Sequence, residues 1–205
     1  MLKKLTQKQQ DTILECAIEE FGENGPSRAA VSSIARRAGV SVGVIYKYYE
    51  NKEALFDHCL RHSVGILTQE MEKAVSDTDD LMGACEKLIR SCISFSREHP
   101  AYIQMYHAIT HTQEGAERYA QAIESLTAST YTAILEKAQQ GGEIRQDLSP
   151  SLAAMFFDNL LMMLQFSYGC AYYRERMKLY CRNTEEADEQ MTAGLMAFIG
   201  GALKG

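Results

Sequence analysis

Apolar residues recur at the three- and four-residue spacing of an α-helix along almost all of the 205 residues. No segment shows the sustained alternation of apolar and polar residues that is typical of a β-strand. Residues that start and stop helices lie between these segments, as in the capping box of Thr6 and Gln9 and the Ser149-Pro150 pair. The pattern predicts an all-α fold of about nine helices.

The predicted helices form two groups, which suggest a small domain over residues 1–55 and a larger one over residues 56–205. The first three helices are short, and the later ones are long. Helix 1 is expected to end at Asn24-Gly25, and Asn51 is expected to cap helix 4. Helix 8 is expected to run from Ser149-Pro150 to about Lys178. The last helix is expected to begin at an Asn183/Glu186 capping box and to end at Gly200-Gly201.

Residues 31–50 carry the pattern of a helix-turn-helix. Two closely crossing helices need a small residue at the crossing, supplied by Ala35, and a residue that accepts positive φ at the turn, supplied by Gly39. Apolar residues fill the space between the helices, and a serine stands at the start of the second helix. These positions are Ile34, Ala38, Val40, Ser41 and Ile45.

The charge distribution agrees with a nucleic-acid-binding N-terminal domain. The whole chain has a net charge of −6, which alone argues against a polyanionic partner. Within residues 28–52, however, a single acid, Glu50, stands among five basic residues. These are Arg28, Arg36, Arg37, Lys47 and Lys52. Such a local excess of positive charge is typical of a DNA-binding surface, although a solvated charged face would look the same.

Two segments, Ile34–Ser41 and Gly43–Leu55, resemble the tetracycline-repressor (TetR) family of bacterial transcription regulators. The similarity of motif covers about the first 60 residues. The remainder is similar in helix count and length, and in the segment Gly-Glu-Ile-Arg-x-Asp-Leu-Ser-Pro before the eighth helix. The resemblance implies an N-terminal helix-turn-helix domain and a C-terminal domain for ligand binding and dimerisation. It also implies three partners: double-stranded operator DNA, a small-molecule effector and a second copy of the chain.

The recognition helix would place its N-terminal residues in the major groove. Val42, Gly43 and Val44 offer only apolar or close backbone contacts there, so we expect Tyr46 and Lys47 and the shape of the DNA to contribute to sequence readout. Family members often have a threonine at the start of helix 2, where this chain has Ala30. The complete set of predicted DNA-binding residues is Ser32, Ser41, Val42, Gly43, Val44, Tyr46, Lys47, Tyr48 and Lys52.

The eighth helix is apolar nearly all round over residues 152–168, so it must be covered on more than one side. The resemblance implies that this helix and the last one form a four-helix bundle with a second subunit. A central helix buried within a monomer is the alternative. Asp158 and Asn159 interrupt the apolar run and could face either a ligand or the two-fold axis, and Phe166 is expected at the dimer interface.

Large, adaptable side chains on the middle helices suggest a cavity for an apolar or aromatic effector, although each could equally be ordinary core. His62 and Ile66 lie on helix 4, which joins the two domains, and are expected to relay the effector's presence. The predicted ligand-binding residues are His62, Ile66, Phe95, Tyr102, Met105, Tyr106, Ile109, Ile123 and Leu126.

Other function classes find little support in the sequence. No phosphate-binding glycine loop, GxSxG or HExxH motif is present, so we expect no enzyme and no catalytic residues. His58/His62 and His107/His111 have i,i+4 spacing but no clear further ligands, and the six cysteines form no CxxC pair. We therefore expect no metal and no cofactor.

The N-terminus has no hydrophobic signal, and no apolar run is long enough to cross a membrane. We expect a cytoplasmic protein. A helical ligand-binding or adaptor protein that does not bind DNA specifically is the alternative function, and the apolar start of the recognition helix is the feature that favours it.

Overall fold

A computed structural model describes residues 5–76, 80–110, 113–181 and 187–204. The described residues form ten α-helices without a strand, which confirms the all-α prediction. Their bounds are α1 Gln7–Arg28, α2 Val31–Arg37, α3 Val42–Tyr48, α4 Lys52–Ser76, α5 Leu81–Glu98, α6 Pro100–Thr110, α7 Gln113–Gln140, α8 Pro150–Gly169, α9 Ala171–Tyr180 and α10 Ala187–Lys204.

Local sequence signals account for most of the helix ends. Thr6 and Gln9 form the expected capping box, and the Asn51 side chain accepts a hydrogen bond of 2.7 Å from the Ala54 amide at the start of α4. The regular part of α1 ends where predicted, because Gly25 has φ 72° and introduces a kink before Pro26. Ser149 caps α8 with a proline in its first turn.

The eighth helix is shorter than the sequence predicted. It ends at Gly169 rather than near Lys178, and the extended backbone of Cys170 separates it from α9. Gly169 packs so closely on α6 that a Cβ atom there would lie 2.6 Å from Cβ of Ile103. Apolar periodicity continues across this break, and the sequence pattern alone therefore merged two helices into one.

The last helix extends beyond its predicted end at Gly200-Gly201 and reaches Lys204. Leu203 is buried, and its carbonyl accepts a hydrogen bond of 2.9 Å from the Arg145 amide. These contacts with distant residues thus stabilise α10 beyond the two glycines that were expected to end it. The capping box predicted at Asn183 and Glu186 lies outside the described residues.

Two apolar cores hold the helices together. One lies between α5, α7, α8 and α10 and includes Ile89, Leu135, Leu161 and Ile199. The other joins α1–α4 to α6 and α7, since Phe21, Ile34 and Leu55 belong to the same buried cluster as Met105 and Ile123. The predicted boundary at residue 55 therefore falls within a continuous core. Among the described residues, no helix is long and apolar enough to cross a membrane.

Candidate nucleic-acid interface and effector cavity

The turn between α2 and α3 has the geometry that its sequence requires. Gly39 has φ 66°, and the Val40 amide donates a hydrogen bond of 3.0 Å to the Ala35 carbonyl. Ile34, Ala35 and Ile45 are buried at the crossing of the two helices. The predicted helix-turn-helix is therefore confirmed as a structural unit.

A buried carboxylate from α1 is hydrogen-bonded to the start of α2, where Ala30 offers no side-chain cap. Glu20 is only 3% exposed, and its side chain accepts hydrogen bonds of 3.1 Å from both the Ala30 amide and the Asn24 side chain. Burial alone would raise the pKa of Glu20, but these hydrogen bonds, one from Ser33 and the nearby charge of Arg37 lower it below its usual value. Glu20 thus fixes the helix-turn-helix against α1 in its charged form. Sequence reasoning missed it, because a buried glutamate has no local signature.

Much of the positive charge expected at the DNA surface is already paired within the protein. Arg37 contacts three glutamates of α1, most closely Glu23 at 2.6 Å. The Arg28 side chain donates to the Asn24 carbonyl. Arg36 and Lys47 are exposed and form no ion pair with a described residue. The basic surface available to DNA is therefore smaller than the count of five basic residues suggested.

The exposed face of α3 carries the side chains predicted to read DNA. Tyr46 is 48% exposed and Lys47 is also exposed, while Val42 and Val44 are half-buried. Ser32, Ser41 and Gly43 are exposed as well, at the starts of α2 and α3. Ser41 stands at the N-cap position but makes no side-chain capping hydrogen bond, contrary to the sequence expectation. Its hydroxyl group therefore remains able to contact a ligand.

Two further predicted contacts have partners inside the protein. The Tyr48 hydroxyl accepts a hydrogen bond of 2.8 Å from the Leu5 amide and keeps its own proton to donate. The Lys52 ammonium group donates to the carbonyls of Ser27 and Ala29, at 2.8 and 3.3 Å, and so holds the loop between α1 and α2. These two hydrogen bonds give Lys52 a structural role that the sequence did not reveal.

A cavity of about 110 Å³ lies between α4, α5, α6, α7 and α8. Its wall is mostly apolar and aromatic. Six of the predicted ligand-binding residues line it, namely Ile66, Phe95, Tyr102, Met105, Tyr106 and Ile123. This volume is below the usual range of about 300–1,000 Å³ for ligand sites, so a larger molecule would have to extend beyond it.

The other three predicted ligand-binding residues lie elsewhere. His62 faces a neighbouring cleft, with its ring centroid 6.2 Å from that of Tyr102. Ile109 lines a groove of about 520 Å³ between α7 and α8 that shares five wall residues with the cavity. Leu126 lines neither space. Helical spacing places a residue on a face only approximately, which explains these differences.

The wall shared by the cavity and the groove carries polar groups. Tyr106 donates a hydrogen bond of 2.6 Å to Glu124, and Asp158 lies in the same wall. Burial and the nearby carboxylate of Glu124 raise the pKa of Asp158 to about 6. Asp158 thus faces both the cavity and the groove, which the sequence had left open, whereas Asn159 is exposed and lines the groove but not the cavity.

One side of α8 and α10 presents large apolar side chains to solvent. Phe156 of α8 is 58% exposed and Phe198 of α10 is 66% exposed. Leu152, Met155 and Met163 of α8 are exposed as well. Phe166 does not belong to this surface. It is buried within the chain among Ile103, His107 and Tyr173, so the expectation that it lies at a dimer interface is wrong.

The histidines and cysteines have ordinary structural surroundings. The His58 ring packs on Tyr49, and the His107 ring packs on Phe166. His111 lies outside the described residues. Within the described part of the chain, no three His, Cys, Asp or Glu side chains could hold a metal ion together, and all six cysteines are free thiols.

Residues 13–59, which include the helix-turn-helix, match the family model for bacterial regulatory proteins of the TetR family. Over 199 residues the chain is 25% identical to the HTH-type transcriptional regulator UidR of Escherichia coli (strain K12), covering 93% of this chain and 91% of that protein. Residues 13–59 are thus a DNA-binding domain of the TetR type. The protein is a DNA-binding transcriptional regulator, and the matching family and UidR are regulators rather than enzymes.

The chain is also similar to two regulators from Bacillus subtilis. It is 35% identical over 65 residues to the fatty acid metabolism regulator protein of Bacillus subtilis (strain 168), which covers 32% of this chain and 34% of that protein. Its fold matches the crystal structure of the transcriptional regulator FadR from Bacillus subtilis in complex with stearoyl-CoA. The TM-score is 0.75 at 18% identity, over 93% of this chain and 97% of that one.

Proposed function

We propose that the protein is a repressor that binds a pseudo-palindromic operator as a homodimer and is released from it by a small apolar or aromatic molecule. The observation that carries the proposal is the position of the cavity. Its wall is built from α4 and α6, which also contribute to the core beneath the recognition helix.

DNA contact is assigned to the exposed face of α3 and its flanks. Tyr46 and Lys47 are the side chains best placed to reach bases and phosphates, and Ser32 and Ser41 supply hydroxyl groups at the starts of the two helices. Val42, Gly43 and Val44 offer apolar and backbone contacts. Tyr48 can donate its remaining proton to a phosphate.

The homodimer is assigned to the exposed apolar side chains of α8 and α10. Adjacent exposed Phe, Met and Leu side chains on one face of a protein mark an interaction surface. Pairing this face with its copy would bury it and place two recognition helices on one DNA duplex. The distance between them must then be about 34–36 Å, one turn of B-DNA.

The effector is assigned to the central cavity and the adjoining groove. Leu60 belongs to the N-terminal core and also lines the cavity, as do Met105 and Ile123. A ligand that enlarges the cavity would therefore displace α4 and α6 and, with them, the recognition helix. The FadR structure, with stearoyl-CoA bound, is a precedent in this fold for a ligand that carries a long apolar acyl chain. We propose that residues 1–55 form the DNA-binding part and residues 56–205 the effector-binding and dimerisation part, and that the two parts share a core. We further propose a cytoplasmic location and no catalytic activity.

A titration against sheared genomic DNA, at about 50 and 200 mM salt, tests the DNA-binding half of the proposal. Fluorescence anisotropy should show binding that weakens steeply with salt, as the release of counterions from phosphates requires. Duplexes selected from the same pool should then bind more tightly than bulk DNA. An adaptor protein that has lost DNA recognition would show neither the salt-dependent binding nor the selected duplexes.

A further inference from the structure

The described side chains that line the effector cavity and its adjoining groove include acidic ones but no basic ones. Glu70, Glu124 and Asp158 line the cavity, and the last two also line the groove. Among the described residues that line either space, there is no lysine, arginine or histidine. The remaining wall is largely apolar. A site of this composition has a negative potential with no positive group of its own to balance it.

Two polar groups in this wall have no hydrogen-bond partner within the described protein. Tyr131 is only 4% exposed and lines the cavity, yet its hydroxyl group makes no hydrogen bond with a described residue. The Asp158 carboxyl group is half-buried and likewise makes no such hydrogen bond. Both residues line the cavity, so these polar groups are available to contact a ligand there.

Ionisation of the Asp158 carboxyl group is disfavoured within the cavity. Burial and the negative charge of Glu124 both disfavour its ionised form, and they raise its pKa to about 6. Near neutral pH much of this group is nevertheless ionised. A positive charge placed between Asp158 and Glu124 would relieve both effects at once.

We propose that the effector is a hydrophobic organic cation, an aromatic or alkyl ammonium compound, whose charge is held by Asp158 and Glu124. This inference rests on the proposed effector site and specifies its ligand. The rings of Tyr106 and Tyr131 supply negatively polarised faces to the cation, and the apolar wall receives its hydrocarbon part. An anionic group in the same space would face three carboxylates without a counter-charge.

A pair of aromatic probes of opposite charge tests the proposal on the purified full-length protein without DNA. Benzyltrimethylammonium and phenylacetate both carry a phenyl ring, and only the first carries a positive charge. Isothermal titration calorimetry at pH 7.5 should show binding of benzyltrimethylammonium at least about tenfold tighter than binding of phenylacetate, since the carboxylates attract the fixed positive charge and repel the negative one.

Charge-neutralising variants locate the binding site. Asp158→Asn and Glu124→Gln keep the shape of each side chain but remove its negative charge, and each should weaken benzyltrimethylammonium binding about tenfold or more through the lost Coulombic attraction. Glu136→Gln is the matched control, because Glu136 lies on the same helix as Glu124 but is exposed and does not line the cavity or the groove. It should leave the affinity unchanged. Thermal unfolding confirms that each variant is folded.

Two outcomes overturn the inference. One is equal or tighter binding of phenylacetate, or no binding of benzyltrimethylammonium at millimolar concentration. The other is an equal loss of affinity in Glu136→Gln and in the two cavity variants, which would place the cation on the acidic surface. Neither outcome affects the genomic DNA titration, so failure of this inference and failure of the proposed DNA-binding function remain distinct.

Discussion

Tyr102 on α6 donates a hydrogen bond of 2.6 Å to Glu15 on α1, and the same tyrosine forms part of the cavity wall. One side chain thus contacts both the space assigned to the effector and the helix that supports the helix-turn-helix. Gly22 of α1 reinforces this contact, since a Cβ atom there would lie only 2.7 Å from the Ala101 carbonyl oxygen. We therefore expect a displacement of α6 to displace α1 as well.

Removing the Tyr102 hydroxyl group should break the hydrogen bond between α6 and α1 and leave the aromatic ring in the cavity wall. We expect Tyr102→Phe to lower the free energy of unfolding by about 1 kcal/mol, the usual contribution of one hydrogen bond. Urea denaturation followed by circular dichroism measures the change. Tyr172→Phe is the control, because Tyr172 is exposed. Equal stabilities for wild type and Tyr102→Phe would show that the bond contributes nothing.

The recognition helix is tested by truncating its two exposed polar side chains. Tyr46→Ala and Lys47→Ala should each weaken binding to a selected duplex by about 1–3 kcal/mol, without loss of stability. Lys137→Ala, which removes an exposed lysine on α7, should bind the same duplex as wild type. Undiminished binding by the Tyr46/Lys47 double variant would mean that another surface contacts the DNA.

The dimer interface is tested by placing a charge on the exposed apolar face. We expect Phe156→Glu to shift the protein from dimer to monomer in sedimentation velocity, because an unpaired carboxylate would be buried when the two faces meet. Tyr46→Glu introduces the same charge at an exposed aromatic residue on α3 and should remain dimeric. A wild-type monomer of 23.0 kDa at micromolar concentration would rule out the interface altogether.

The raised pKa of Asp158 predicts a pH-dependent stability. Its carboxyl group has a pKa of about 6 in the folded protein against the usual 3.8, so its favourable contribution is present below pH 3.8 and is lost as the pH rises through 6. The other titratable groups that line the cavity are Glu70, Glu124, Tyr102, Tyr106, Tyr131 and Cys92.

Asp158→Asn should therefore stabilise the protein at pH 8 and have little effect at pH 3.5. The full shift corresponds to about 3 kcal/mol, and partial solvation of the carboxyl group reduces our expectation to about 1–2 kcal/mol. Urea denaturation at the two pH values measures it. Stabilisation of the same size at both pH values would show that ionisation is not the cause.

The sequence was most informative where a single residue type determines local geometry. Gly39 at the turn, the Thr6 capping box and the Asn51 cap were all predicted correctly, because each depends on residues adjacent in the chain. The break at Cys170 and the extension of α10 to Leu203 depend on packing against distant residues, and local patterns do not contain that information.

The same distinction applies to the sites. Six predicted ligand-binding residues meet at one cavity, because residues on the inner faces of α4–α7 necessarily converge. The roles of Glu20 and Lys52 depended on partners outside their own helices and were not foreseen. The placement of Asp158 and Phe166 on the inner side of α8 likewise required the tertiary structure, since a helix that is apolar all round does not indicate which face turns outwards.

The central claim is that occupation of the cavity and binding of operator DNA oppose one another. The most direct test measures the affinity of benzyltrimethylammonium for the protein alone and for the protein saturated with a selected duplex. Thermodynamic linkage requires that a releasing ligand bind the free protein more tightly, by the same factor by which it weakens DNA binding. We predict a several-fold weaker affinity in the presence of the duplex. Equal affinities would contradict the account, because a ligand that does not distinguish the two states cannot shift the equilibrium between them.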